Sequence, residues 1–383
     1  MDFSLTPAQE ALRRSARAFA LREIAPKVEG MAEEEALDAG LVQKLKNRYA
    51  GMWFPAKYGG KGTPLADLAV VMEEIGAVNR SSALVIEGAG LAGCTLLFGG
   101  TEAQKREWIP RISRGKAWFA FGMTDRGPGS DPVSMATRAV KTKGGYRIRG
   151  QKRLISNCDI ATHLLLLAKS DPLKGARGIS AFLLEKDTPG LKFEQMRGHG
   201  DVEHHVFRVS ADCEVGPEAL LGGEGEGFIA ALKSMDRGRV GLAAASVGLA
   251  RAAWEMAVAH AKRRVVFGRP LKEYQAVSFP LAELAIQIDA ARFLVHRAAW
   301  LDDRGLRHST ETAMAKYAAG EAAAAATETL MRVLGGLGWS KESPAGRWLM
   351  DAKTANYGQG SQDIQKLIIS RAIFEEKAQS RRR

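Results

Sequence analysis

The feature that most limits the fold is the order of segments, in which a turn-rich stretch separates two helical ones. Residues 1–117 contain runs whose apolar residues recur at three- and four-residue steps, which is typical of amphipathic helices. Residues 118–222 contain short apolar or alternating runs between glycine and proline turns, which is typical of strands. Residues 223–383 return to long alanine-rich segments. This segregation predicts a three-domain α+β fold and argues against a sheet of alternating strands and helices.

Individual elements can be placed within these three parts. Thr6-Pro7, with Gln9 three residues after the capping threonine, is a helix-start signal. Further helices are predicted at 65–77, 81–98, 228–262, 272–304, 309–334 and 361–378. Strands are predicted at 146–149, 163–168 and 179–184. The last four helical segments are long enough to form a C-terminal bundle.

Composition narrows the class of protein. The 383 residues are 46% hydrophobic and 26% charged, as in an ordinary globular protein. No uninterrupted apolar stretch reaches the ~18 residues of a membrane span, and the N-terminal sequence lacks an export signal, so we predict a cytoplasmic protein. The three cysteines are far apart, and no ligand-type spacing of histidine, cysteine and carboxylate recurs, so neither a disulfide framework nor a metal site is predicted.

The net charge of +12 indicates an anionic partner. The basic residues are dispersed, apart from the terminal run 381–383, and no aromatic-basic recognition motif accompanies them. Phosphate-bearing small molecules therefore explain the charge as well as nucleic acid does, and we predict no nucleic-acid partner.

Six short motifs follow one another along the chain. None is a G-x-G-x-x-G loop after a strand, and each alone could be an ordinary turn or helix end. The first of them could cradle a flavin or a pyrophosphate through backbone N–H groups and hydroxyls. The motifs lie at 122–131, 150–157, 236–239, 263–275, 334–339 and 360–365.

Taken together, these motifs resemble those of the acyl-CoA dehydrogenase family from the first helix to about residue 373. The resemblance implies an N-terminal helical domain, a middle β-barrel-like domain and a C-terminal four-helix bundle. It also implies FAD between the middle and last domains, an acyl-CoA substrate, and an electron-transfer flavoprotein or similar electron acceptor. Subunits of the family form homotetramers or homodimers and contribute to each other's cofactor sites.

The resemblance also implies roles for particular residues. Leu154 replaces a tryptophan that flanks the flavin, and Arg332 replaces a glutamine that faces the cofactor. The residues expected at FAD are Met123, Thr124, Ser130, Leu154, Ser156, Arg264, Phe267, Gln275, Arg332, Gly335, Gly336 and Ser361. The residues expected at the acyl-CoA are Ser130, Asp236, Arg239, Glu87 and Arg80.

One of these substrate assignments has an alternative, and another rests on a short motif. Asp236 and Arg239 resemble a pair that contacts CoA, but residues one helical turn apart also form ordinary ion pairs. Arg80 resembles an arginine that holds the acidic end of the acyl group in glutaryl-type members. This second motif is short.

The sequence departs from the family pattern at the catalytic base. Counting from the double glycine at 335–336 places Gln359 where most members carry a glutamate, and Gly238 stands where a minority carry it. A neutral amide cannot accept a proton near pH 7. Glu87, matching the closed end of the acyl pocket in medium-chain members, is the leading substitute. It could take a proton from beyond the α-carbon of a conjugated or ring substrate, or it could be a pocket-end carboxylate bound to water.

Three hypotheses follow from the missing glutamate. The first is an FAD-dependent enzyme that acts on an acyl-CoA by a displaced base, by the reverse reduction or by a non-redox reaction. The second is a catalytically silent subunit that pairs with an active homologue. The third is a slow but ordinary dehydrogenase.

Overall fold

The computed structural model describes residues 3–127 and 129–380, and it begins with six helices. The predicted helix start at Thr6 is confirmed: its hydroxyl accepts a hydrogen bond from the Gln9 backbone N–H, and the Gln9 side chain accepts one from the Thr6 N–H. These two bonds satisfy N–H groups that a helix start otherwise leaves unpaired. Helices α1 to α6 span Pro7–Phe19, Val28–Glu34, Ala39–Tyr49, Leu65–Gly76, Arg80–Gly99 and Glu102–Ser113.

The middle of the chain forms one eight-stranded sheet with the strand order β6-β7-β3-β2-β4-β5-β8, and β1 lies parallel to β4. Side chains of β4 alternate between two cores: Leu165 and Leu167 face the helices, while Leu164 and Leu166 face the far side of the sheet. Strands β1 to β8 span Phe119–Gly122, Arg138–Thr142, Gly145–Ser156, His163–Lys169, Ile179–Glu185, Leu191–Met196, Val206–Val215 and Leu220–Leu221.

The rest of the chain is mostly helical. A short hairpin of β9 (Val265–Val266) and β10 (Arg269–Pro270) follows the first of these helices, α7. Helix α9 packs against α7, α8, α11 and α12, which gives the predicted bundle. Helices α4 and α5 also pack on α7, so the first and last parts of the chain share one hydrophobic core. Helices α7 to α12 span Gly227–Arg263, Gln275–Asp303, Ser309–Leu334, Gly336–Trp339, Ala345–Ala355 and Gln362–Ser380.

Two of these helices are long and apolar enough to cross a membrane by length and composition alone. Their apolar windows have mean hydropathies of 1.6 in α5 and 1.2 in α7. However, 72% and 61% of these windows are buried inside the protein, and α5 also buries the charged side chains of Arg80 and Glu87. Core helices pass the same length test, so it does not identify a span here.

Candidate active site

Three segments that are distant in sequence meet at one point in the core. The Gln359 Nε2 atom donates a hydrogen bond of 2.5 Å to Glu87 Oε1, across a separation of 272 residues. A Cβ atom added to Gly238 would lie 2.8 Å from that Glu87 oxygen and 3.0 Å from Gln359 Oε1. The positions where the sequence lacks the expected glutamate therefore surround a carboxylate supplied by α5. Gly238 leaves the space that this pair occupies.

The backbone of Gln359 adopts a conformation that is uncommon for a residue with a side chain. Its φ angle is 54°, and Gly360 follows with a φ of 96°. Such a conformation costs on the order of 1–3 kcal/mol and persists where the surrounding structure holds it. Here the Nε atom of Arg239 donates a hydrogen bond of 3.0 Å to the Gln359 carbonyl oxygen. The side-chain Oε1 of Gln359 is buried and has no hydrogen-bond partner among residues 3–127 and 129–380.

Burial dominates the electrostatics of Glu87. Loss of water raises the pKa of this carboxyl group, the hydrogen bond from Gln359 and the positive charge of Arg80 partly offset the rise, and the resulting pKa is about 8. A carboxyl group with this pKa gains and loses its proton near neutral pH. General acids and bases in enzymes have this property.

Arg80 begins the same helix, and its guanidinium group is already bound to Asp201. The two side chains form a buried ion pair, and Asp351 accepts a hydrogen bond of 2.6 Å from the Asp201 backbone N–H. Arg80 precedes Glu87 by seven residues, a distance of ~10 Å along a helix. An acidic acyl end that approached Arg80 would compete with the carboxylate of Asp201.

Asp236 and Arg239 do form an ion pair on α7, at 3.1 Å between Oδ1 and Nη1. Ser309 also donates a hydrogen bond of 2.6 Å to Asp236. The guanidinium of Arg239 is buried, and it contacts both Asp236 and the Gln359 carbonyl. The pair thus links α7 to the segment that carries Gln359.

The segment around Thr124 is fixed by a buried ion pair that the sequence did not single out. Lys152 Nζ donates hydrogen bonds to Asp125 Oδ1 at 2.6 Å and to the Met123 carbonyl at 2.9 Å. Asp125 also accepts hydrogen bonds from the backbone N–H groups of Ala136 and Thr137. Met123 and Asp125 are therefore held on both sides of Thr124.

Replacing Asp125 with alanine is expected to lower the free energy of unfolding by ~3–5 kcal/mol, because Lys152 would remain buried without its charge partner. Urea denaturation followed by circular dichroism measures this change. Asp212→Ala is the control, since its ion pairs with Arg147 and Arg149 are exposed and should contribute little to stability. A loss for Asp125→Ala no larger than that of the control would show that the buried pair does not stabilise the loop.

The remaining residues expected at FAD fall into two groups. Near the sheet, Ser130 is exposed, Ser156 is half-buried at the end of β3, and Leu154 lies at an irregularity of β3 with a φ of 58° and its side chain 56% exposed. In the helical part, Phe267 is 97% exposed, and Gly335 adopts φ 60° and ψ −131°, a combination that favours glycine. The others of this group are Arg264, Gln275, Arg332, Gly336 and Ser361, at the ends of α7, α8, α9, α10 and α12.

Replacing Gly238 with alanine is expected to reduce turnover while leaving the overall fold intact. The added methyl carbon would lie 2.8 Å from Glu87 Oε1 and 3.0 Å from Gln359 Oε1, so the pair must separate. Overpacking of this kind costs ~1–3 kcal/mol. Steady-state kinetics and a melting curve check this, with Gly346→Ala as the control because open space surrounds that glycine. Equal activity of the two variants would exclude tight packing around the pair.

Sequence reasoning did not single out Lys316 as part of this site. This lysine lies on α9 among buried small residues, including Ala313, Ala319 and Gly320, and is itself 2% exposed. Its Nζ donates hydrogen bonds of 3.0 Å to the Asn356 carbonyl and of 3.0 Å to Gln362 Oε1. A lone lysine on an otherwise apolar helix face was the available signal.

Comparisons with known proteins agree with this architecture. Models of the N-terminal, middle and C-terminal domains of acyl-CoA dehydrogenases match residues 6–116, 120–210 and 225–374. An acyl-CoA dehydrogenase of Bacillus subtilis is 37% identical over 374 residues, which cover 97% of this chain and 99% of that protein. The cyclohex-1-ene-1-carbonyl-CoA dehydrogenase of Syntrophus aciditrophicus is 33% identical over 385 residues, covering 97% and 91%.

A solved structure gives the same result in three dimensions. Butyryl-CoA dehydrogenase from Megasphaera elsdenii superposes with a TM-score of 0.93 at 33% identity, over 98% of this chain and 100% of that one. Sequence and structure thus match over all three parts of the fold, and the chain belongs to the acyl-CoA dehydrogenase family.

Proposed function

We propose that this chain is an FAD-dependent acyl-CoA dehydrogenase in which Glu87 exchanges the proton that residue 359 exchanges in most of the family. The hydrogen bond of 2.5 Å from Gln359 Nε2 to Glu87 Oε1 supports this most directly. An ionised carboxylate accepts a stronger hydrogen bond from an amide N–H than a neutral carboxyl group does, so the bond favours the ionised form of Glu87. Gln359 would then orient the base without acting as one.

The chemistry is the removal of two hydrogens from neighbouring or conjugated carbons of the acyl group. Glu87 takes one hydrogen as a proton, and the electron pair that this C–H bond leaves behind becomes part of the new double bond. Bound FAD supplies the acceptor for the second hydrogen, which leaves as hydride. Glu87 must then release its proton before the next turnover, which the pKa near 8 permits.

The position of Glu87 bears on the class of substrate. The carboxylate comes from α5 rather than from residue 359, so we propose that its target is a C–H bond beyond the usual α-carbon. Such a bond is acidic when the acyl group is conjugated with the thioester or belongs to a ring. The similarity to a relative named for cyclohex-1-ene-1-carbonyl-CoA supports this class.

The side chains around the two cofactor segments fit FAD chemically. Hydroxyl groups of Thr124, Ser130 and Ser156 near the sheet can hydrogen-bond the polar edge of a flavin. The guanidinium groups of Arg264 and Arg332 suit a diphosphate, which arginine binds through paired N–H groups. We propose that these two groups of residues hold the flavin and the dinucleotide portions.

The exposed aromatic side chains support an assembly of several subunits. Phe267 is 97% exposed and Trp339 is 84% exposed, and both belong to segments assigned to the cofactor. Exposed aromatic residues next to such segments are typical of an interface between subunits. We propose a homotetramer or homodimer whose Phe267 meets the neighbour's cofactor, with an electron-transfer flavoprotein as the acceptor.

Anaerobic reduction of the purified protein tests the proposal. The protein should be yellow, and cyclohex-1-ene-1-carbonyl-CoA should bleach its visible absorption more rapidly than butyryl-CoA does. Faster bleaching by butyryl-CoA would contradict the displaced base. A colourless protein that becomes active only with a co-purified homologue would show that the chain is a silent partner subunit.

The pH dependence of this bleaching should follow the ionisation of Glu87. Because the base must be ionised, the single-turnover rate should rise through a midpoint near pH 8 and fall ~10-fold per pH unit below it. Stopped-flow measurements between pH 6 and about 9.5 resolve this limb. A rate independent of pH below 8 would exclude Glu87 as the group that takes the proton.

The same pKa favours a second direction of reaction. At neutral pH a carboxyl group with a pKa near 8 is largely protonated, and a protonated Glu87 is a proton donor. The protein would then run the reverse reaction, in which reduced FAD and the proton of Glu87 reduce the product of the dehydrogenation. To test the reverse direction, the protein is photoreduced and then mixed with the product of the dehydrogenation. Reoxidation that is faster at pH 6.5 than at about pH 9 would establish this direction.

A further inference from the structure

The segment that carries Gln359 is a short loop between α11 and α12, at 356–361. Lys316 binds the first residue of this loop and the residue that directly follows it: its Nζ donates 3.0 Å hydrogen bonds to the Asn356 carbonyl and to the side chain of Gln362. Arg239 binds the middle of the loop through the Gln359 carbonyl, at 3.0 Å. Two buried cations, one on α9 and one on α7, therefore hold three points of a loop whose middle residue has a positive φ.

The surface of α9 under the loop is shaped to fit it. A Cβ atom added to Gly320 would lie 2.3 Å from Asn356 Oδ1 and 3.0 Å from Gln362 Nε2. Gln362 in turn donates hydrogen bonds to the Tyr317 carbonyl at 3.0 Å and to Glu321 Oε1 at 2.9 Å. The loop thus lies directly on one turn of α9, with Lys316 at its edge.

Burying the Lys316 side chain costs free energy, which indicates that its hydrogen bonds to the loop have a role. Burial, together with the like charges of Arg239 and Arg80, lowers the pKa of Lys316 to about 7. Among the described residues, the hydrogen-bond partners of Lys316 Nζ are both neutral, and the effect of the Glu321 carboxylate on its pKa is smaller than the effects that lower it. An apolar side chain would pack at this position without that desolvation.

We infer that Lys316 is a positioning residue, which closes the loop so that the carboxamide of Gln359 faces Glu87. The inference rests on the proposed function, because it assigns Glu87 the proton transfer that the loop supports. Without Lys316 the ends of the loop would separate, and the Gln359 amide would move away from Glu87. Since that amide lowers the pKa of Glu87, its withdrawal would raise this pKa.

The test compares Lys316→Met and Gly320→Ala, which disturb the loop from the same side by different means. Both should lower kcat by ~10- to 100-fold with little change in KM or FAD content, because small displacements of a catalytic group have large effects. Both should also move the acid limb of the kcat–pH profile to higher pH, which a loss of stability alone would not do. Lys366→Met is the matched control, since Lys366 pairs with Asp363 at the surface.

A crystal structure and a double variant complete the test. Lys316→Met should lengthen the distance between Gln359 Nε2 and Glu87 Oε1 beyond hydrogen-bonding range, and adding Gln359→Leu should cost nothing further. If Lys316→Met does not fold, Gly320→Ala and its double variant with Gln359→Leu carry the same measurements. Unchanged kcat and pH profile in the folded variants, or additive losses with Gln359→Leu, would overturn the inference.

The structural measurement also separates this inference from the proposed function. If Glu87→Gln keeps full activity, the proposed function fails. The loop could still be displaced in the crystal structure of Lys316→Met, which would leave Lys316 as the residue that positions Gln359.

Discussion

Replacing Glu87 with glutamine is expected to lower kcat on a conjugated acyl-CoA by ~10²- to 10⁴-fold, the usual contribution of a general base. Glutamine has nearly the same shape, so the side chain still fits between Gly238 and Gln359, but its amide cannot accept the proton. Binding of FAD should persist, because no residue assigned to the cofactor is changed, and the thioester should still bind, because glutamine keeps the shape of Glu87. Steady-state kinetics measure kcat and the KM for the thioester, the visible spectrum measures bound FAD, and a thermal melt checks that the variant is folded.

The control for this variant is Glu74→Gln, which removes another buried carboxylate far from the site. Glu74 is 3% exposed and forms an ion pair of 3.0 Å with Arg251. Its replacement should lower the melting temperature, because a buried pair is broken, and should leave kcat within ~2-fold of the wild type. If Glu87→Gln loses no more activity than Glu74→Gln, then Glu87 does not take the proton.

Exchanging the two residues, in a Glu87→Gln and Gln359→Glu double variant, is expected to change the substrate preference. The exchange keeps one amide and one carboxylate in hydrogen-bonding contact, but it moves the base to the position that most of the family uses. Activity on butyryl-CoA should rise by ~10²-fold or more above that of Glu87→Gln alone. Activity on the conjugated substrate should stay low, since the carboxylate no longer reaches its C–H bond.

The double variant is more informative than Gln359→Glu alone. In the single variant, two carboxylates in contact would share one proton, and their pKa values would be driven apart. Reduction assays with butyryl-CoA and with cyclohex-1-ene-1-carbonyl-CoA measure the exchange. A double variant that binds FAD but gains nothing on butyryl-CoA would show that the substrate α-carbon does not lie near residue 359.

The long helices and three strands of this protein, β3, β4 and β5, could be predicted because their patterns are local. The segment 228–262 was predicted as a helix, and α7 spans Gly227–Arg263, because an alanine-rich run favours a helix and the glycines at 222–227 mark where the turn-rich part ends. Strand β6 was not predicted. Leu191 and Phe193 do alternate with Lys192 and Glu194, but the run is short and its side chains are at most half-buried at the edge of the sheet, so the pattern gives only a weak strand signal.

Family motifs allowed the positions of the site residues to be predicted as well. They located residues 87, 238 and 359 separately, and they showed that the last two lack a carboxylate. They did not show that all three converge. The motifs also gave no reason to connect Lys316 with Gln359, or Lys152 with Asp125, because each of these contacts joins segments whose local patterns are independent.

The sequence by itself determined the order of the three parts, the course of the long helices and the absence of a glutamate at residues 238 and 359. Only the tertiary structure decided that Glu87 occupies the space beside Gly238 and accepts a hydrogen bond from Gln359. The physical reason is that periodicity reports which face of an element is buried, but not which distant side chain it meets. At Gly238 the decisive feature is an empty volume, and a volume exists only once the helices have packed.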